Sequence, residues 1–175
     1  MKRLENEIIY LRALEPEDLD FLFEVENDVK NWEVSTTQKP FSRKDLKDYL
    51  LNSNKDIYEV KQLRLVIERK SDNKSVGLID LFDFDPYNKR AGLGILIKEE
   101  FQHMGFASSS IELFNDYAFR YVDLNQIYAH VPANNNASVA LFTKMGFVKS
   151  GNLKNWLKTE EGFTDVMIFQ FFKNS

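Results

Sequence analysis

Gly92-Leu93-Gly94-Ile95-Leu96-Ile97 is an apolar, strand-like run, and Gln102-His103-Met104-Gly105-Phe106-Ala107 follows it, leading into a helix-like run from Ser108. A turn with a small residue at Gly105, opening a helix, leaves several backbone N–H groups without intrahelical partners. Those donors and the positive end of the helix dipole suit the oxygens of a bound anion such as a phosphate. The stretch is not a P-loop, because it lacks the terminal Gly-Lys-Ser/Thr, and it is not the three-glycine dinucleotide fingerprint. A single glycine before a helix is a common turn. The weight of this one comes from the elements on either side.

Upstream, Ile8–Leu14 is β-branched and aromatic enough for a strand. Glu15-Pro16-Glu17-Asp18 starts a helix that carries Leu19, Leu22, Phe23 and Glu26 and ends near Asn27. Residues 31–40 read as a loop. Ser42-x-x-Asp45 is a capping signal for a second helix with Leu46, Tyr49 and Leu50 on one face. Leu63–Arg69, Ser75–Phe84 and Arg90–Ile97, separated by polar turns, form an antiparallel meander. Downstream, Ile111, Phe114, Ala118 and Val122 mark a buried helix face, and Gln126–Val131 is the next strand. A short helix runs to Lys144 and stops at Gly146. Phe147–Leu157 and Phe163–Phe172 form a last hairpin across Glu160-Glu161-Gly162. The strand–helix–strand unit of residues 90–131 is expected to be parallel and right-handed, and the rest of the sheet antiparallel. The predicted class is α/β, one domain over residues 1–175.

Composition narrows the function. The 175 residues are 43% hydrophobic and 14% aromatic, which argues against disorder. No apolar run approaches the length of a membrane span, and the N-terminal residues hold no signal-peptide core. The absence of Cys removes disulfides, thiolate nucleophiles and cysteine-based zinc sites, and is compatible with a cytoplasmic protein. His103 and His130 are too few for a multi-histidine metal site. With 23 basic and 27 acidic residues the net charge is −4, so no nucleic-acid stripe is expected and a cationic substrate is attracted.

Taken together, Ile95-Leu96-Ile97 with Gln102-x-x-Gly105-x-Ala107, and Asn135-x-x-Ser138 leading to Lys144-Met145-Gly146-Phe147, resemble the GNAT superfamily of N-acetyltransferases. The resemblance covers nearly the whole chain. It implies a mixed, mostly antiparallel sheet of about seven strands flanked by helices, with a splayed parallel pair whose gap takes acetyl-CoA like an added strand. It further implies that backbone groups of Ile95, Leu96 and Ile97 pair with the pantetheine arm, and that an N–H near Leu96 or Ile97 polarises the thioester carbonyl. The turn Gln102, His103, Met104, Gly105, Phe106, Ala107 and Ser108 would hold the pyrophosphate. Asn135 would touch the cofactor arm as well as cap a helix. Many members protonate the leaving thiolate from a Tyr in the helix after the Asn-x-x-Ser segment; that position here is Phe142, which has no proton to give. Tyr87, Tyr128 and His130 are substitutes that sequence does not rank.

Asp80, inside an apolar strand, is the candidate general base or amine-binding carboxylate, with a salt-bridged structural partner as the equal alternative. Strict alternation puts Asp83 on the opposite face from Asp80 unless a bulge intervenes. The segment Gly77–Ile97 and the loop Asn31-Trp32-Glu33 are similar to the spermidine/diamine branch, and to the branch acetylating ribosomal-protein N-termini. A polyamine acceptor would use Glu33, Asp80 and Asp83 as spaced carboxylates. A non-catalytic CoA-binding sensor is the alternative of another class. A homo-oligomer is compatible with the sequence, with the Phe-rich C-terminal strand as a candidate for pairing across a subunit boundary.

Overall fold

The computed structural model describes residues 4–35 and 37–173, with the backbone alone for Glu33 and Val34. Seven strands form one sheet in the order β1-β2-β3-β4-β5-β7-β6. These are β1 (Ile9–Ala13), β2 (Leu63–Arg69), β3 (Lys74–Asp85), β4 (Arg90–Ile97), β5 (Gln126–Pro132), β6 (Val148–Thr159) and β7 (Gly162–Phe172). All neighbours are antiparallel except β4 and β5, which are parallel. The mixed architecture and the position of its parallel pair are as the sequence leads one to expect.

Alternation along the strands supplies two apolar faces. One packs Ile79, Leu81, Leu93, Ile127 and Ala129 under the helix α5 (Phe106–Arg120), which turns Ile111, Phe114 and Ala118 inward. Phe142 of α6 (Asn136–Lys144) joins the same core. The other face sets Val66 and Leu78 against Leu22 and Val25 of α1 (Leu19–Glu26) and Leu46 and Leu50 of α3 (Arg43–Leu51). Each such large side chain, fully buried, contributes about 1.5–3 kcal/mol. α3 begins as its sequence indicates: Ser42 Oγ accepts from Asp45 N at 3.0 Å and Asp45 Oδ2 accepts from Ser42 N at 3.2 Å. α5 closes at Arg120, so Val122 reaches the core from the turn beyond it.

Two expectations are corrected, and one short helix appears that the sequence did not announce. Residues 31–40 do not form a plain loop, because α2 occupies Val29–Ser35. Asp28 starts it by accepting the N–H of Lys30 at 3.0 Å, and Trp32 Nε1 ties it to Glu26 O at 2.9 Å. A further short helix, α4 (Ile57–Val60), is capped by Asp56, which accepts from Tyr58 N at 2.7 Å. The C-terminal strand β7 lies between β5 and β6, so both its edges are taken and it cannot pair across a subunit boundary. Its Phe169 belongs to the core instead.

Candidate active site

β4 and β5 pair only at Arg90↔Gln126, Ala91↔Ile127 and Gly92↔Tyr128. Beyond Gly92 they diverge, while β4 stays paired to β3 as far as Ile97 and β5 to β7 as far as Pro132. The result is a V-shaped gap with Gly92 and Tyr128 at its apex. Lys98 donates to Val76 O at 2.9 Å on the β3 side. Since alternate residues of a strand face alternate neighbours, Leu96 and Gly94 turn their N–H and C=O to β3, whereas Ile95 and Ile97 turn theirs to the gap. Gln102 Nε2, 3.2 Å from Ile97 O, agrees with this assignment. Of the two residues singled out for an N–H toward a carbonyl, Ile97 therefore qualifies and Leu96 does not.

At the mouth of the gap the chain makes a 3-10 turn (Glu99–Phe101) and then the turn that opens α5. His103 and Gly105 both hold positive φ, 60° and 83°. Gly105 is the N-cap of α5 and has no side chain to accept from the helix, so the N–H groups of Phe106, Ala107 and Ser108 keep their donor capacity. Across the gap, Asn135 caps α6, its Oδ1 accepting from Ser138 N at 3.1 Å. Among the described residues the amide Nδ2 of Asn135 has no hydrogen-bond partner.

These parts line one cavity of about 840 Å³. Its wall includes Ile95, Leu96, Ile97, Gln102, His103, Gly105, Phe106, Ala107, Ser108 and Asn135. Met104 is the exception among the expected residues: it is 53% exposed and not part of the lining. The opposite wall comes from α1, α2 and the turn between them, with Glu24, Asp28, Lys30 and Asn31. Ion pairs cross the mouth, from Lys30 to Glu99 at 2.5 Å and from Lys98 to Glu24 at 3.0 Å and Glu100 at 3.4 Å. Burial works against the Lys98 ammonium, but its carboxylate partners outweigh that and raise its pKa. Glu24 and Asp28 did not stand out in the sequence. Their only signal is a four-residue spacing across the α1–α2 junction.

Asp80 is not free. Arg64 Nε and Nη2 approach its two oxygens at 2.6 and 3.2 Å, and Arg64 Nη1 reaches Glu26 Oε1 at 2.6 Å. Burial opposes the Arg64 charge, yet the two carboxylates and Tyr49 raise its pKa overall. The salt-bridged alternative is the arrangement found. Asp83 sits where the β3–β4 register shifts, with φ 49°, so a bulge does intervene. It is exposed, and its charge acts on Tyr128. Neither Asp80 nor Asp83 lines the cavity. Glu33 is on α2, and its side chain lies outside the described part. Phe142 is core, packed edge-on to Phe147 and stacked on Phe169. Tyr87 is 92% exposed, whereas Tyr128 stands at the apex of the gap.

An unpaired strand edge leading to an uncapped helix N-terminus fits an extended chain that ends in phosphates. The comparisons agree. The acetyltransferase (GNAT) domain model matches residues 9–148. The spermidine N(1)-acetyltransferase of Vibrio cholerae is 33% identical over 148 residues, 85% of this chain and 83% of its own length. The crystal structure of the Vibrio cholerae spermidine N-acetyltransferase with CoA and spermine superposes with a TM-score of 0.87, at 27% identity, covering 97% of this chain and 98% of that one. A dodecameric structure of the enzyme from the same organism gives a TM-score of 0.81 at 29% identity, with 97% and 96% covered. With its splayed strands, open helix N-terminus and family match in agreement, the chain belongs to the GNAT family of acetyltransferases, whose acetyl donor is acetyl-CoA.

Proposed function

We propose that the protein acetylates a primary amine of a polyamine, by direct attack on acetyl-CoA in a ternary complex. The observation that carries this reading is the composition of the cavity: donor-type backbone on one wall, and Glu24, Asp28 and Asn31 on the other, where Lys30 is paired to Glu99. Acetyl-CoA supplies an activated acyl group, a thioester that a neutral amine attacks without a covalent enzyme intermediate. The N–H groups of Phe106, Ala107 and Ser108 serve the pyrophosphate, and the gap-facing groups of Ile95 and Ile97 serve the arm. An N–H of Ile97 or Ile95 meets the negative charge that develops on the attacked carbonyl oxygen. Glu24 and Asp28 draw the ammonium groups of the acceptor. Glu26, Arg64 and Asp80 together carry a net charge of −1 under α1, which adds to that attraction and gives Asp80 an amine-attracting role. The similarity to spermidine acetyltransferases supports the same acceptor class. A homo-oligomer is part of the proposal, supported by the relative's dodecamer and by Val148, Trp156 and Phe163, left exposed on the β6–β7 hairpin.

The test is thiol release from acetyl-CoA with polyamines, amino acids and short peptides as acceptors. Saturable turnover is expected with spermidine or spermine, and Glu24→Gln with Asp28→Asn is expected to raise the amine KM several-fold, as rim charges of about 0.2–1 kcal/mol each allow. Asn at 28 preserves the α2 cap. Faster turnover with peptide N-termini would replace the polyamine by a protein acceptor. Tight CoA binding without turnover across the panel would make the protein a sensor.

A further inference from the structure

Phe142 leaves the departing thiolate without the proton donor that the family resemblance implies, and the apex of the gap holds a side chain able to replace it. Tyr128 is the last residue of β5 paired to β4. Its neighbours Ile127 and Ala129 are buried under α5, so alternation turns Tyr128 to the face that carries Asp80, Phe82, Gly92 and Gly94. There its ring meets Phe82 edge-on at 6.1 Å and lies 5.4 Å from the ring of His130, which is exposed. Gly92 and Gly94 present no side chain on that face, and the ring of Phe82 occupies the space a Cβ on Gly92 would need. Tyr128 is half-buried, and among the described residues its hydroxyl has no hydrogen-bond partner. An arm anchored at the α5 N-terminus and lying along Ile97 and Ile95 points its far end toward this apex.

We infer that Tyr128 is the catalytic acid that gives its phenolic proton to the thiolate of coenzyme A. The inference rests on the acetyl-transfer reading above. Once the amine has added to the carbonyl carbon, the C–S bond breaks, its electron pair stays on sulfur, and the O–H proton of Tyr128 moves there. The phenolate recovers a proton from the nitrogen of the new amide, which must lose one, with His130 alongside as the route to solvent. One N–H proton is lost and one S–H is made. Burial pushes the Tyr128 pKa up, and the charges of Asp83 and Asp85 do so against Arg90, so the phenol keeps its proton until it is needed.

Tyr128→Phe keeps the ring and its packing and removes only the hydroxyl. General acids are worth ~10²–10⁴-fold, and a thiolate is a good leaving group, so kcat with spermidine is expected to fall about 10²-fold. KM for acetyl-CoA and for the amine should stay within about twofold, the signature of an interaction made only in the transition state. Site-specific trifluorotyrosine at 128 lowers the phenol pKa and should move the alkaline limb of the kcat profile down, whereas Tyr87→Phe should leave it in place. Asp80, Asp83, Asp85, Arg90 and His130 are the charged or titratable neighbours, and a limb that instead follows His130→Gln would overturn the assignment. So would a Tyr128→Phe enzyme keeping more than about a tenth of kcat, or losing kcat and KM together. If the unaltered protein neither binds CoA nor releases thiol, the acetyl-transfer reading fails. If it turns over and Tyr128→Phe matches it, only Tyr128 falls.

Discussion

Gly105 gives the sharpest separation of binding from folding. Its φ is +83°, and a Cβ built there has nothing within 4 Å. Replacement by Val therefore meets no neighbour at its Cβ in the free protein and costs chiefly the left-handed backbone, about 1–2 kcal/mol. In a domain of this size that lowers Tm by roughly 2–8 °C, at about 2–4 °C per kcal/mol. The loss in ligand binding is larger. The N–H groups of Phe106, Ala107 and Ser108 take their direction from this turn, and each hydrogen bond to an anion is worth ~1.5–3 kcal/mol. Losing one weakens CoA about 10–150-fold, since every 1.4 kcal/mol is tenfold. Gly162, at φ +127° in the β6–β7 turn and equally unobstructed, is the control. Gly162→Val should lose comparable stability and keep full CoA affinity. Calorimetric titration with CoA and thermal melts of both variants decide it. Unchanged CoA affinity in Gly105→Val, or equal loss in both variants, would refute the argument that the α5 N-terminus grips the pyrophosphate.

Gly92→Ala drives a methyl into the Phe82 ring at the apex of the gap and should cost about 1–3 kcal/mol by urea unfolding. Asp80→Asn removes one charge from the Glu26–Arg64–Asp80 cluster; if Asp80 has the proposed attracting role, the amine KM should rise several-fold with kcat within about threefold. A collapse of kcat at saturating amine would instead make Asp80 the base. Asp18 is buried, and burial would raise its pKa, but hydrogen bonds from Arg12 and from the N–H of Glu15 outweigh this and hold the carboxyl below the usual range. Its contribution to stability is therefore complete above the ordinary Asp value of about 3.9 and is lost as pH falls through the depressed native value. Denaturant melts should show stability falling below about pH 4, and Asp18→Asn should flatten that slope.

Regular elements were legible because their signals are local. The reciprocal Ser42/Asp45 cap, the apolar runs of β2, β3 and β4 between polar turns, and the stop at Gly146 each need only a few neighbouring residues. α2 escaped because it is seven residues long, contains Trp32 and Val34 where helix formers would be expected, and is started by a single Asp28. The cavity wall proposed for the donor was readable for the same reason as the elements: Ile95–Ile97 and Gln102–Ser108 are contiguous. The proposed acceptor half is assembled from α1, α2 and the sheet face, and no spacing in the chain announces Glu24 beside Lys98.

The placement of Asp80 and Asp83 has a more specific cause. Counting back from the turn between β2 and β3 with strict pairing places Arg64 opposite Ile79. The observed partner is Asp80, because the register shifts by one residue on β3 between Ser75 and Gly77. A second extra residue on β3, between Phe82 and Asp85, turns Asp83 out of the ladder and sets Phe82 opposite Gly92. Bulges leave few marks in a sequence, yet each moves every later side chain to a new partner. Here the first makes the Arg64–Asp80 pair, and the second sets Phe82 edge-on to Tyr128 at the point where β4 and β5 separate. The chemistry of the proposed acceptor face is thus set by two irregularities in one strand, while the proposed donor face follows from regular structure that simply ends.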